Sequence, residues 1–235
     1  MKHMIKLIIN NLITQSTIAD LRDIRNRLQK IYQKIILDTF YSQKTKKIEG
    51  KDLLVNFACG KNIIPNWVNI DTACHLRDVY YYDLRDSLPF EDGQVAHIHC
   101  EHFLEHLEFN DSLYFLSECY RTLKDNGSIR IIVPDAGKYI SAYCRNDQDF
   151  FAKLVNLGGT VKPMKTEMEI INQMFRMGGD HKFGWDYQTL ELYLREIGFN
   201  RIEESTYGAL EEAYNIDGDD WWRLHESLYV NAYKS

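Results

Sequence analysis

Between Ile18 and Phe40, apolar residues recur at steps of three and four (Ile18, Leu21, Ile24, Leu28, Ile31, Ile35), with Arg, Asp, Lys and Gln between them. That period predicts a long amphipathic helix with a single apolar stripe. Such a stripe packs across a following domain, caps a cleft, or pairs two copies of the chain as a homodimer. The polar run from Ser42 to Asp52, containing Gly50, reads as a connection. The expected organisation is an N-terminal helical extension over residues 1–45 and a second unit over 46–235.

From Leu53 the pattern changes to short apolar runs alternating with helical periods. "LLVNF", "WVNI", "DVYYY", "VAHIH" and "IRIIVP" read as strands. Helical periods fall at Ser112 to Leu123, in "DFFAKLVNL", in "TEMEIINQMFRM" and at Tyr187 to Ile197. This alternation predicts an α/β, Rossmann-like fold with a mostly parallel seven-stranded sheet and crossover helices. The tail runs "RIEESTYG" and "ESLYVNAYKS" supply a closing hairpin-like pair across a long connection. Residues 137–179 carry two helices where a minimal crossover needs one, which marks an insertion.

Hydrophobic residues at 45% and charged residues at 26% exclude a disordered or collagen-like chain. A net charge of -6 gives no broad footprint for phosphate backbones, so no nucleic-acid partner is expected. The five cysteines (Cys59, Cys74, Cys100, Cys119, Cys144) form no C-x-x-C pair, which fits reduced thiols in the cytoplasm and no zinc knot. No run reaches the ~20 apolar residues of a membrane span. The opening "MKHMIKLIINNLI" is followed by no small-residue cleavage site.

In an open α/β sheet, ligands sit beyond the carboxyl ends of the strands. The first strand ends in "VNFACGKN", where Gly60 allows close backbone approach and presents N–H groups. The G-x-G-x-x-G of dinucleotide sites is missing. Asp71, at the end of the second strand, can accept hydrogen bonds from both hydroxyls of a ribose. It follows Gly60 by 11 residues, so the crossover helix must be very short or replaced by a turn, with Pro65 helping to end it. Asp83 at the third strand end can accept from an adenine amino group while Leu84 N–H donates to a ring nitrogen. Alternatively, Asp83 caps the turn that follows.

The ordered runs "LLVNFACGKNIIPNWVNID", "DLRDSLPFEDG", "EHFLEHL", "RTLKDNGSIRIIVPD" and "HKFGWDYQTLELYLREIGF" resemble class I S-adenosylmethionine-dependent methyltransferases. The likeness covers residues 51–235 and is greatest to small bacterial methyltransferases of cell-surface saccharide pathways. It implies S-adenosyl-L-methionine as cofactor, with Asn56, Phe57, Ala58, Cys59 and Gly60 facing its methionine part. By the same resemblance Asp71 holds the ribose, Asp83 and Leu84 frame the adenine, and Cys100, Glu101 and His102 line the sulfonium and the acceptor. The acceptor implied is a hydroxyl or phosphate-type oxygen of a small polar metabolite or saccharide precursor. Two departures stand out. Ala58 replaces a glycine, which requires a negative φ or room for a methyl group, and Ala96 stands where an aspartate commonly precedes strand four.

Methyl transfer is an in-line displacement governed by alignment, and an oxygen acceptor must also lose a proton. His102 is the first candidate base and His181, in "GGDHKFGWD", the second. Asp135 and Tyr139 are placed to hydrogen-bond the acceptor, the insertion to cap it, and Trp221 with Trp222 to stack on a sugar from a lid at residues 211–223.

The run "HIHCEHFLEH" needs its own account. His102-Phe-Leu-Glu105-His106 matches H-x-x-E-H, with both histidines expected on one helical face. A zinc hydrolase would need a third ligand, and candidates such as Glu167 and Glu191 lie in no second motif. His97 and His99 alternate on one strand face and are expected to be buried and neutral. The leading reading assigns no metal. A divalent ion on His102, Glu105 and His106 is its variant, and a catalytically eroded cofactor-binding scaffold is the non-enzymatic alternative.

Overall fold

The apolar runs form strands in a computed structural model that describes residues 48–72, 78–160, 163–218 and 220–235. The amphipathic helix expected between Ile18 and Phe40, and with it the dimer reading, lies outside the described residues. The strands are β1 (Leu53–Phe57), β2 (Val68–Asp71), β3 (Val79–Tyr81), β4 (Val95–Glu101), β5 (Leu123–Pro134), β6 (Arg201–Ser205) and β7 (Ser227–Tyr233). They make one sheet in the order β3-β2-β1-β4-β5-β7-β6.

The ladders joining β3, β2, β1, β4 and β5 are parallel, whereas β7 runs antiparallel to both β5 and β6. The sheet is therefore mixed rather than mostly parallel. The physical reason is the tail pair: β6 and β7 come back antiparallel to each other, and β7 wedges between β6 and β5.

Helices α1 (Phe109–Thr122) and α5 (Tyr187–Ile197) bury apolar stripes, Phe115, Leu116 and Cys119 on α1 and Leu190 and Leu194 on α5. The main core adds Val55, Phe57, Ile98, Cys100, Ile129 and Ile131 from the sheet. Phe57 meets Phe90 and Phe115 edge-on, with ring centroids 6.2 and 5.4 Å apart. Between β5 and α5 the described residues form three α-helices, α2 (Ala136–Cys144), α3 (Gln148–Asn156) and α4 (Glu167–Arg176). These enclose a second, smaller core of Tyr139, Ala142, Phe151, Leu154, Ile170 and Met174.

No helix joins β1 to β2. Turns replace it, pinned by the Asn69 side chain, which accepts from Ile64 N (2.9 Å) and donates to Ile64 O (2.9 Å) and Trp67 O (3.0 Å). After β3 the chain crosses back to place β4 on the other side of β1. The carboxyl ends of β1 and β4 are thus the switch point where such sheets bind ligands. Among the described residues, no helix is long and apolar enough to cross a membrane.

Candidate active site

A cleft of about 900 Å³ opens at this switch point, with Ala58, Gly60, Glu101, His102, Asp217 and Arg223 in its walls. The turn after β1 is unusual in its backbone. Ala58 and Gly60 both have φ of 52°, in the left-handed region. Gly60 occupies it without penalty, and a Cβ there would meet nothing within 4 Å. Ala58 does not have the negative φ that its methyl group prefers, at a cost of about 1–2 kcal/mol.

The turn is braced from beneath. Asn56 Nδ2 donates to Asn62 O (2.9 Å) and Asn69 Oδ1 (3.1 Å), and Gly60 N–H donates to Asp71 Oδ2 (2.9 Å). Asn56 and Cys59 also line the cleft. Two residues assigned to the cofactor are placed elsewhere. Phe57 is 0% and Cys100 1% exposed, both in the main core. Strand alternation is the cause: Glu101 faces the cleft, so Cys100 takes the opposite face of β4. Burial also pushes the Cys100 thiol well up.

At the third strand end Asp83 caps the turn that follows, its Oδ1 accepting from Arg85 N at 3.1 Å. Arg85 forks onto the Asp83 carboxylate, with Nε at 2.9 Å and Nη2 at 2.6 Å. Leu84 is buried in the main core. Asp71, Asp83 and Leu84 all stand outside the lining of the cleft, Asp71 reaching it through Gly60.

Glu101 is its charged centre. The carboxylate accepts from Arg223 Nη1 (2.9 Å) and Gly218 N (2.9 Å), with His99 Nε2 at 3.4 Å. Burial pushes its pKa up, but His99, the Gly218 amide and Arg223 together outweigh that and bring it down to about 2. It is ionised at any physiological pH. Beside Gly218, Asp217 is 1% exposed at its side chain and receives both Nε and Nη2 of the fully buried Arg130. The segment from Thr206 to Gly218 is thereby tied across the cleft.

Sequence reasoning named a lid here but missed Arg130, Asp217 and Arg223. A signal existed: an arginine inside the apolar run "IRIIVP" has to find a partner if that strand is central.

His102, the first residue past β4, also has a left-handed backbone, φ 48°. Non-glycine residues in this region concentrate at functional sites. Its Nε2 lies 3.0 Å from Ser227 Oγ, its Nδ1 3.3 Å from Glu105 Oε1, and its ring 5.7 Å from that of Trp222. Leu104–His106 is a 3-10 turn. The H-x-x-E-H run thus has no α-helical face, because the strand end and a turn of tighter pitch consume its five residues.

Trp222 also lines a second cavity, of about 140 Å³, with Tyr139, Gln173, Met174, His181 and Glu226. Tyr139 O–H donates to Glu226. Burial and the Glu226 charge raise the Tyr139 pKa, and burial raises that of Glu226. His181 is 9% exposed, donates through Nδ1–H to Met174 O, and is held below the usual imidazole range mainly by burial. The two candidate bases therefore line different cavities. Asp135 caps α2, accepting from Lys138 N at 3.1 Å, and faces a separate open groove. Trp221, in the short helix α6 (Trp221–Glu226), is 72% exposed, whereas Trp222 lines the smaller cavity.

The strand order, the antiparallel β7 and a cleft at the β1/β4 switch point are the class I methyltransferase fold. Residues 58–131, from the end of β1 into β5, match the family described as a methyltransferase domain. Among solved structures, a SAM-dependent methyltransferase from Archaeoglobus fulgidus is similar at 16% identity and TM-score 0.50, covering 87% of this chain and 94% of the other. A methyltransferase from Thermotoga maritima gives 12% and 0.48, over 89% and 97% of the two chains. One from Methanosarcina mazei gives 13% and 0.45, over 80% and 94%. At these identities the likeness is one of fold. No curated protein is similar in sequence.

Proposed function

We propose that this protein is an S-adenosyl-L-methionine-dependent methyltransferase acting on an oxygen of a small polar acceptor, such as a saccharide precursor. The observation that carries the reading is Glu101: a largely buried carboxylate, ionised, facing a cleft of about 900 Å³ across from the open Gly60 turn. The Glu101 carboxylate, shared with Arg223, offers hydrogen-bond acceptors to a cationic ligand, and S-adenosylmethionine brings both an ammonium and a sulfonium. The empty space at the Gly60 Cβ position lets the backbone come close to such a ligand.

In this reading Asn56, Ala58, Cys59 and Gly60 hold the methionine part, Asp71 the ribose and the backbone at Asp83–Leu84 the adenine edge. Phe57 and Cys100 support the site from the core. When bound, the cofactor supplies an activated methyl group. The chain aligns the acceptor and excludes water, the Thr206–Gly218 segment closing one side. His102 is the proposed base: Glu105 beside Nδ1 favours the tautomer whose basic nitrogen is Nε2, next to Ser227. Tyr139, His181 and Trp222 face the smaller cavity, proposed for the part of the acceptor remote from the reacting oxygen. A cytoplasmic setting belongs to the same proposal, since Cys100, Cys119 and Cys144 are free thiols.

Calorimetric titration with S-adenosylmethionine and, separately, S-adenosylhomocysteine tests the reading. Micromolar binding of either is expected. Absence of heat with both, from folded protein, would sink it.

A further inference from the structure

We propose a second site in this fold: a first-row divalent metal ion held by Glu105, His106 and His181. The three residues each offer one ligand atom, and these atoms lie within 4.8 Å of one another. Bonds of about 2.1 Å from a zinc-like ion set its ligand atoms roughly 3–3.5 Å apart, so closure asks for shifts of about an ångström.

Glu105 is otherwise hard to explain. It is 2% exposed, and among the described residues the donor that faces its carboxylate, His102 Nδ1 at 3.3 Å from Oε1, is poorly aligned and leaves Oε2 without a hydrogen bond. Burying a carboxylate in that state is costly unless something cationic compensates it. The groups nearest to its Oε1 are imidazoles, His102 Nδ1 at 3.3 Å and His106 Nε2 at 3.9 Å, the latter too long for a hydrogen bond.

The two histidines carry the second observation. His106 Nδ1 faces Asp180 O at 3.3 Å, and His181 Nδ1 faces Met174 O. Each ring thus spends its Nδ1–H on a backbone carbonyl, which leaves Nε2 unprotonated and able to ligate. That is how outer partners orient metal-binding imidazoles. The main chain fixes the spacing as well, because Lys182 N (2.7 Å) and Phe183 N (3.3 Å) both donate to Glu105 O. The His106 side chain is 37% exposed, giving an entry path and room for water on open positions.

Two imidazoles and one carboxylate select zinc, iron(II), cobalt or manganese over magnesium and calcium, which prefer all-oxygen sites. The arrangement differs from the H-x-x-E-H expectation: Glu105 is a ligand, His181 is the third, and His102 stands outside as a partner of Glu105. The site does not depend on the methyltransferase reading.

The test uses the full chain, stripped with a chelator and titrated with Zn²⁺ by calorimetry and with Co²⁺ by visible absorption. One equivalent per chain is expected, with a rise in thermal midpoint on adding Zn²⁺. His106→Ala and His181→Ala should each weaken binding at least about tenfold, and His225→Ala, an imidazole outside the group, should leave it unchanged. Where an alanine variant does not fold, His106→Gln or His181→Gln replaces it. No stoichiometric binding by stripped wild-type protein, or full-strength binding by both histidine variants, overturns the proposal. Cofactor titration is read separately, so either idea can fail alone.

Discussion

Arg130 on β5 and Asp217 in the segment after β6 meet through two parallel hydrogen bonds of 2.5 Å, with side chains 0% and 1% exposed. Arg130 also donates to Asn231 Oδ1 (2.9 Å) and Thr206 O (2.8 Å), so its donors are largely consumed. Removing one partner of such a pair strands a buried charge, at a cost of about 3–5 kcal/mol. Asp217→Ala should lower stability by that amount in urea titration and weaken cofactor binding. A loss under about 1 kcal/mol would mean that the segment is not latched by this pair.

Ala58, like His102, lines the cleft with a left-handed backbone that its side chain disfavours. Ala58→Gly should relieve the left-handed strain, offset in part by the greater freedom of glycine in the unfolded chain, for a net gain of about 0.5–1 kcal/mol. Denaturant midpoints at equal m-value measure it. A destabilised variant would show that the methyl group's packing against the core outweighs its backbone.

Asp71 braces Gly60 and is proposed to hold the ribose. Asp71→Ala should weaken cofactor binding by about 1–3 kcal/mol, the range for unpaired buried polar partners. Unchanged affinity in calorimetry would remove Asp71 from the site.

His102→Ala is expected to cut turnover while leaving cofactor affinity within about twofold, since a base acts on the acceptor's proton. A fully active variant would remove His102 from the proton-accepting role.

His97 makes acid stability measurable. It is stacked on Tyr214 (4.6 Å), edge-on to Trp67 and bonded through Nδ1 to Ser128 Oγ at 2.8 Å. Burial first, then the nearby His99 and Arg130, lower its pKa to about 3. The unfolded chain binds a proton near pH 6.5 that the folded chain refuses, so stability is whole above about 6.5 and falls toward 3. His97→Asn should flatten that slope between pH 4.5 and 6.5 in denaturation experiments. An identical slope would assign acid lability to other groups.

The sheet was largely legible, and the reasons are local. Leu53–Phe57 matches its apolar run residue for residue, and the turn-only crossover follows from the short distance between Gly60 and Asp71. Helix α2 went unread because the apolar residues of "AGKYISAYC" do not keep to one stripe: Tyr139 and Ala142 are buried while Ile140 and Tyr143 are exposed. In the site, strand alternation decided which of Phe57, Cys100 and Glu101 faces the cleft, and a list of strand-end residues carries no such information. Arg223, Asp217 and Ser227 come from more than 100 residues downstream of Glu101, a proximity only the folded chain creates. The metal triad was half visible: Glu105 and His106 stood in the motif, whereas His181 joins them through hydrogen bonds between its loop and the Glu105 carbonyl.

The place of β7 also bears on how this molecule is made. It is the last strand of the sequence yet lies inside the sheet, between β5 and β6. As the chain leaves the ribosome, β5 keeps an open flank of Ile129, Ile131 and Val133 until residues 227–233 have emerged. Bare strand flanks of this kind recruit foreign strands. The nascent protein thus has a vulnerable interval that closes only once β7 has emerged, and termination before residue 227 would leave an aggregation-prone fragment.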